Sequence, residues 1–167
     1  MNGLMIVGTD TGIGKTTLCE LLLRDAVSRE RAVGIYKPVC TGSELDVSGN
    51  TIWSDIECLH AAAGGAFERD LICPQRFHAP LAPPVAATLE GKRVDDALLT
   101  DGLRAWSTHV DTVVIEGVGG LLCPVADDLT IADLAEQWRV PVVVVSADRL
   151  GTINHTLMTL EVAERRG

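Results

Sequence analysis

Apolar residues gather in four short runs along the chain: Leu4-Met5-Ile6-Val7, Ala32-Val33-Gly34-Ile35-Tyr36, Thr112-Val113-Val114-Ile115 and Val140 to Val145. Each is too short for a helix and lacks polar alternation, so each reads as a strand buried on both faces. Between them the period changes. Leucines recur at helical spacing over Thr16 to Arg29, and Trp53 to Ala63 also reads as a helix. Asp95 to His109 predicts an amphipathic helix interrupted by Gly102, Thr130 to Arg139 a short helix with Thr130 as N-cap, and Ile153 to Arg166 a final helix. Ser43 to Thr51 reads as a long polar loop. Residues 71–84, with Pro74, Pro80, Pro83, Pro84, Arg76 and His78, read as an ordered surface loop near substrate. Strands alternating with helices predict an α/β fold with a doubly wound, mainly parallel sheet.

Composition narrows this picture. The 167 residues suit one domain, read as a single P-loop domain over 1–167. At 47% hydrophobic but only 4% aromatic, the core must be aliphatic. A formal charge of −9 argues against nucleic acid or an anionic membrane as partner, since both demand a basic face. Cys19, Cys40, Cys58, Cys73 and Cys123 are scattered with no CxxC pair, which suits reduced thiols in a cytoplasmic protein better than a zinc site. The apolar runs are far too short to span a bilayer.

The chemistry starts where the first strand ends, at Gly8-Thr9-Asp10-Thr11-Gly12-Ile13-Gly14-Lys15-Thr16. A glycine loop between a strand and a helix, with Gly-Lys-Thr at the junction, is the context of a phosphate-binding loop. Glycines let successive N–H groups point inward as an anion nest, and the first helical turn adds free N–H groups and the positive end of its dipole. The expected nucleotide contacts are Gly12, Ile13, Gly14, Lys15, Thr16 and Thr17. Lys15 reaches the outer phosphates and the Thr16 hydroxyl holds Mg²⁺. The usual spacing would put glycine at position 9, which is Thr9; with Gly8 the loop is one residue longer.

Other strand ends carry matching residues. Lys37 precedes Pro38, which stops the second strand, and Asp55 lies near the start of a helix. Glu116 closes the third strand before Gly117-Val118-Gly119-Gly120; an apolar strand ending in an acid suits a Mg²⁺-organising motif. The loop at Gly151 follows the fourth strand. Open α/β sheets bind ligands at this edge, so the glycine loop, Lys37, Glu116 and the Gly151 loop converging on one rim predict phosphoryl chemistry with ATP and Mg²⁺.

Four motifs in order carry a resemblance: Gly-Thr-Asp-Thr-Gly-x-Gly-Lys-Thr, then Lys37-Pro38-Val39-x-Thr41-Gly42, then Glu116-Gly117-Val118-Gly119-Gly120, then Leu150-Gly151-Thr152-Ile153-Asn154-His155. Together they closely resemble the dethiobiotin synthetase family. The resemblance implies closure of a cyclic urea from 7,8-diaminononanoate, CO₂ and ATP. It implies Lys37, Lys15 and Thr11 in catalysis, Thr16, Asp55 and Glu116 around Mg²⁺, and Gly117, Val118 and Gly119 beside the nucleotide. It places Thr41 on the carbamate or amine. Gly151, Thr152, Ile153 and Asn154 open a helix whose free N–H groups would take the substrate carboxylate, which the family holds in trans across a homodimer. Gly12 stands where the family often has an acid. The family also has a further strand, with an asparagine that reads adenine, beyond the position of Gly167; the expectation is a chain lacking that segment, with no adenine-reading residue assigned.

Two other readings compete. A switch or partitioning ATPase would carry an early Lys-Gly-Gly signature, where this loop has Thr-Asp-Thr. A non-catalytic nucleotide-sensing module would need neither Lys37 nor Thr41. His60 and His155 fall in helical stretches and read as packing or surface residues.

Overall fold

A computed structural model describes residues 2–167. The elements in chain order are β1 (Asn2–Gly8), α1 (Lys15–Ser28), β2 (Val33–Tyr36), β3 (Cys40–Thr41), β4 (Glu44–Leu45), β5 (Thr51–Ile52), α2 (Ser54–Ala62), α3 (Arg69–Ile72), β6 (Arg76–Phe77), α4 (Pro83–Leu89), α5 (Asp96–Ala105) with a 3₁₀ turn at Trp106–Thr108, β7 (Thr112–Gly120), β8 (Pro124–Ala126), β9 (Leu129–Thr130), α6 (Ile131–Trp138), β10 (Val142–Val145) and α7 (Thr152–Arg166). The four expected strands form one sheet in the order β10-β1-β7-β2, and every pairing in it is parallel. The expected mainly parallel α/β fold is therefore present. Met5, Ile6, Val7, Ile35, Val113 and Ile115 are wholly buried, as strands covered by helices on both faces require.

The sheet order sorts the strands by environment. β1 and β7 are central. β10 lies at one edge and is only half covered, with Val143 37% exposed, so the expected fully buried strand holds for three runs and not for the fourth. Its apolar sequence is the same in kind; β2, the other edge strand, is covered by α1 and α3, whereas the helix against β10 is α7, which buries no residue of its own among the described residues.

Several connections are more ordered than the sequence suggests. The polar stretch Ser43–Thr51 contains an antiparallel hairpin, β4 with β5. Asp46 closes it, its Oδ1 accepting the N–H groups of Ser48 and Asn50 at 2.8 Å each. The proline-rich stretch 71–84 is not simply a surface loop. It holds the end of α3, the strand β6 paired with β3, and the start of α4, and it buries Ile72, Cys73 and Phe77. Pro83 and Pro84 begin α4, because proline at the first helical positions loses no hydrogen bond. Gly102 does not interrupt its helix. A Cβ there would meet the Tyr36 hydroxyl at 2.5 Å, so glycine makes room for the buried ring while α5 runs through. Thr130 caps α6 as expected, in a full capping box with Asp133. Trp106 is wholly buried in the core, and Gly34 lies against it with no room for a Cβ.

Gly117 to Gly120 is strand, not exit loop. β7 continues along β1 past Glu116 to a Gly8–Gly120 pairing, with an irregularity opposite Val7. A Cβ on Gly117 would sit 3.2 Å from the Ile6 carbonyl oxygen, so the missing side chain allows the close approach. Among the described residues no helix is long and apolar enough to cross a membrane.

Candidate active site

The glycine loop is shaped by backbone that other residues rarely adopt. Gly12 and Gly14 have φ of 69° and 97°, in the left-handed region that glycine occupies without a steric cost. Gly8 is required for another reason: a Cβ would strike the Asp10 carbonyl oxygen at 2.6 Å as the loop folds back. The longer spacing is thus accommodated by a loop that closes tightly over its first glycine. Gly14 then caps α1, whose first residues are Lys15 and Thr16.

Three other elements face this loop. Lys37 leaves β2, Glu116 lies on β7, and Asp55 sits in the first turn of α2. Asp55 and Glu116 join Thr16, and Lys37 joins both carboxylates. The Thr16 hydroxyl donates to Glu116 Oε1 at 2.9 Å and lies 3.2 Å from Asp55 Oδ1. Lys37 Nζ is 2.5 Å from Glu116 Oε1 and 2.8 Å from Asp55 Oδ2. Lys37 and Glu116 are almost fully buried, 4% and 1% exposed, and Glu116 Oε2 has no hydrogen-bond partner. A buried charge of either sign alone would be costly, and each is compensated by the other. Burial acts to lower the Lys37 pKa, but the Glu116 and Asp55 carboxylates outweigh it and hold the ammonium well above the ordinary lysine value. For Asp55, burial acts upward and the Lys37 charge prevails, leaving the carboxyl below its ordinary range. Lys15 behaves differently. Burial lowers its pKa, only partly opposed by Glu116, and its Nζ donates to the Asp10 carbonyl at 3.0 Å.

A cleft of about 230 Å³ opens over this cluster. Binding sites for whole drug-sized ligands start at roughly 300 Å³, so this space suits the phosphates and reacting groups rather than an entire nucleotide. Most sequence-predicted residues line it: Thr11, Gly12, Ile13, Gly14, Lys15 and Thr16 on one side, with Lys37, Thr41, Asp55, Glu116, Gly117, Val118 and Gly119 opposite. Thr17 does not; it lies exposed on the first turn of α1. Nor do Gly151, Thr152, Ile153 and Asn154. They occupy the same edge of the sheet but beyond β1 on its other side, with Ile153 75% exposed. The expected convergence of four strand ends is therefore a convergence of three within one chain.

Two further features complete the site. Cys40 lines the cleft beside Lys37, and burial pushes its thiol pKa up to about 11, so it is an uncharged wall. Asp10 and Arg149 form an ion pair at 2.7 Å across 139 positions, while Asp10 Oδ1 also accepts the Thr11 N–H. No local pattern marks a pair of that separation.

Strand, glycine loop, helix and a buried lysine–carboxylate cluster define a P-loop nucleotide-binding protein. The AAA domain family matches residues 2–167. ATP-dependent dethiobiotin synthetase BioD of Anaeromyxobacter sp. (strain Fw109-5) is 42% identical over 167 residues, covering 100% of this chain and 73% of the relative. The BioD of Anaeromyxobacter dehalogenans (strain 2CP-C) is 44% identical over 171 residues with the same coverage. That of Bacillus subtilis (strain 168) is 35% identical over 168 residues, 100% of this chain and 71% of the relative. The chain belongs to the dethiobiotin synthetase family of ATP-dependent enzymes.

Proposed function

We propose that this chain joins 7,8-diaminononanoate and CO₂ at the expense of ATP, closing the cyclic urea of dethiobiotin. The observation that carries the reading is the buried Lys37, held against Glu116 and Asp55 across the cleft from Lys15. A nucleotide-sensing module has no use for a second buried cation beside its phosphate loop. Phosphoryl transfer to a carbamate does, because both the nucleophile and the transferred group are anionic.

One substrate amine adds to CO₂ and loses a proton, giving a carbamate. A carbamate oxygen attacks the γ-phosphorus as the bond to the β-phosphate oxygen breaks, giving a mixed carbamic–phosphoric anhydride and ADP. The second amine attacks the carbamoyl carbon, the carbon–oxygen bond to phosphate breaks, and the ring closes with release of phosphate and a proton. Lys15 and the N–H groups of the glycine loop hold the outer phosphates. Lys37 bridges carbamate and transferring phosphoryl group, and Thr41 orients the substrate amine or carbamate. Thr11 adds a hydroxyl donor. The glycines at 117 and 119 let the backbone approach the ligand.

Thr16, Asp55 and Glu116 are the residues that would hold Mg²⁺. They offer hard oxygen donors, one of them the unpartnered Glu116 Oε2, and too few for six-fold coordination without phosphate and water. Bound there, Mg²⁺ supplies charge neutralisation at the phosphates. The substrate carboxylate is assigned to the N-terminus of α7 in a second copy of the chain. Within one chain α7 starts away from the cleft with its first-turn residues Ile153 and Asn154 exposed, which supports an anion received there in trans. ATP turnover is measured with diaminononanoate and bicarbonate together and with each omitted. Turnover that persists without the diamine sinks the ligase reading.

A further inference from the structure

The Lys37 ammonium fills the space between the two carboxylates that flank Thr16. Its Nζ touches Glu116 Oε1 at 2.5 Å and Asp55 Oδ2 at 2.8 Å. The Thr16 hydroxyl is bound to that same Glu116 oxygen at 2.9 Å. Lys15, the other cation of the cleft, is turned back onto the Asp10 carbonyl at 3.0 Å. Both lysines are thus engaged by oxygens of the protein itself.

A divalent cation held by Thr16, Asp55 and Glu116 draws on these same two carboxylates. An ammonium and a metal ion on one carboxylate stand within a few ångströms of each other, and the low effective dielectric beside buried Glu116 leaves their repulsion less screened than in water. The shared carboxylates serve one cation or the other.

We infer that Lys37 is the resident counter-ion of the metal site and that the divalent cation displaces it. The inference rests on the reading of Thr16, Asp55 and Glu116 as a cation site. On displacement Nζ leaves Glu116 and Asp55 and swings on its four-carbon stem into the cleft, where an anionic oxygen of carbamate or γ-phosphoryl receives it. At each stage buried Glu116 and half-exposed Asp55 keep a cation, so the interior carboxylate is never left uncompensated. The exchange also orders events. Lys37 is withheld from transfer chemistry until the metal is seated, so release of one cation is conditional on arrival of the other.

The test needs no turnover. Mn²⁺ is titrated into the full, nucleotide-free chain and free Mn²⁺ is read by electron paramagnetic resonance. Lys37→Met removes the charge, keeps most of the stem and leaves both carboxylates open to the metal. Mn²⁺ is expected to bind this variant about tenfold or more tightly than the unaltered chain, because affinity follows the net ligand charge. Equal or weaker binding overturns the exchange, including the case where the metal sits on Glu116 Oε2 alone and leaves the lysine in place. Adding Glu116→Gln to Lys37→Met abolishes the gain; a gain that survives puts the metal elsewhere, which defeats both the exchange and the cation-site reading. If Glu116→Gln weakens Mn²⁺ binding while Lys37→Met changes nothing, the cation site stands and the exchange alone falls. A second measurement uses the unaltered chain, so it holds even if Lys37→Met fails to fold. Acylation of Lys37 Nζ by a small reagent, followed by mass spectrometry, is expected to quicken when Mg²⁺ is added. An unchanged or slower rate overturns the exchange.

Discussion

The exits of β7 and β10 lie on the same edge of one parallel sheet, on opposite sides of β1. β7 carries Val113-Val114-Ile115 and runs on through Gly117–Gly120, while β10 is four valines followed by the Gly151 turn. Toward the β7 exit Glu116 is buried, compensated and hydrogen-bonded to a residue 100 positions away. At the β10 exit Leu150 is fully exposed, Ile153 three-quarters so, and α7 buries no residue. The difference comes from neighbours. β7 has a strand on each side and helices over both faces, so its end is enclosed by the glycine loop, α2 and the Lys37 turn. β10 has β1 alone, and its exit reaches the glycine loop only from behind, where the Thr9 N–H donates to the Val145 carbonyl at 3.0 Å and Arg149 pairs with Asp10. Among the described residues an apolar strand thus carries a buried carboxylate into the cleft where it is central, and braces the glycine loop with an open apolar flank where it is at the edge.

The largest effect expected from breaking this contrast is at the enclosed exit. A positioned donor to a developing oxyanion in a dry site is typically worth roughly 3–4 kcal/mol, so Lys37→Ala should lower turnover by about two orders of magnitude or more. ATP binding should change far less. Near-normal turnover in the purified variant removes Lys37 from the transfer chemistry.

Next come the groups proposed to face the metal. Thr16→Val keeps the shape and deletes the hydroxyl; Glu116→Gln deletes the charge. Each should raise the Mg²⁺ needed for half-maximal activity by about 10–100-fold, as loss of groups in and around a metal site usually does. A Mg²⁺ dependence that overlays the unaltered chain takes that residue out of the metal's surroundings.

At the open exit the effect is expected only across subunits. Thr152→Glu puts a negative charge where the carboxylate is assigned, and Lys37→Ala inactivates the enclosed exit. After subunit exchange about half the dimers are mixed, each with one site free of both changes, so roughly a quarter of full activity should return. No recovery after complete exchange means that each site is built within one chain, and the open exit then needs another role.

The smallest effect is in stability against pH. The folded pKa of Asp55 lies below its ordinary 3.8, so the stability it contributes is complete above that value and is lost as pH falls through the depressed one. Urea unfolding midpoints followed downward from about pH 5 should therefore fall more steeply for the unaltered chain than for Asp55→Asn. Parallel slopes would mean that Lys37 is neutralised by Glu116 alone.

Much of this was legible in the chain. The four strand runs, the helices between them and the cap at Thr130 follow from side-chain period and local hydrogen bonding, which a sequence displays directly. The glycine loop was legible for the same reason, since Gly12 and Gly14 adopt backbone that little else tolerates. Lys37, Asp55 and Glu116 could be nominated from strand and helix ends, and they do form one cluster with Thr16 through the two carboxylates. The role of Gly102 was not legible. A glycine within a helix looks like a break unless one knows that a tyrosine from β2 needs the space.

The sequence by itself determined the class of the fold, the phosphate loop and the set of charged residues at the ends of its strands, because periodicity, glycine conformation and motif spacing are local properties. Only the tertiary structure decided the order β10-β1-β7-β2. That order made one valine-rich run an edge and another a centre, turned the glycines after Glu116 into strand, and placed the Gly151 turn outside the cleft. Strand order depends on which faces find cover, a balance of burial over the whole chain. A run of valines is the same string of letters whether it has one neighbour or two.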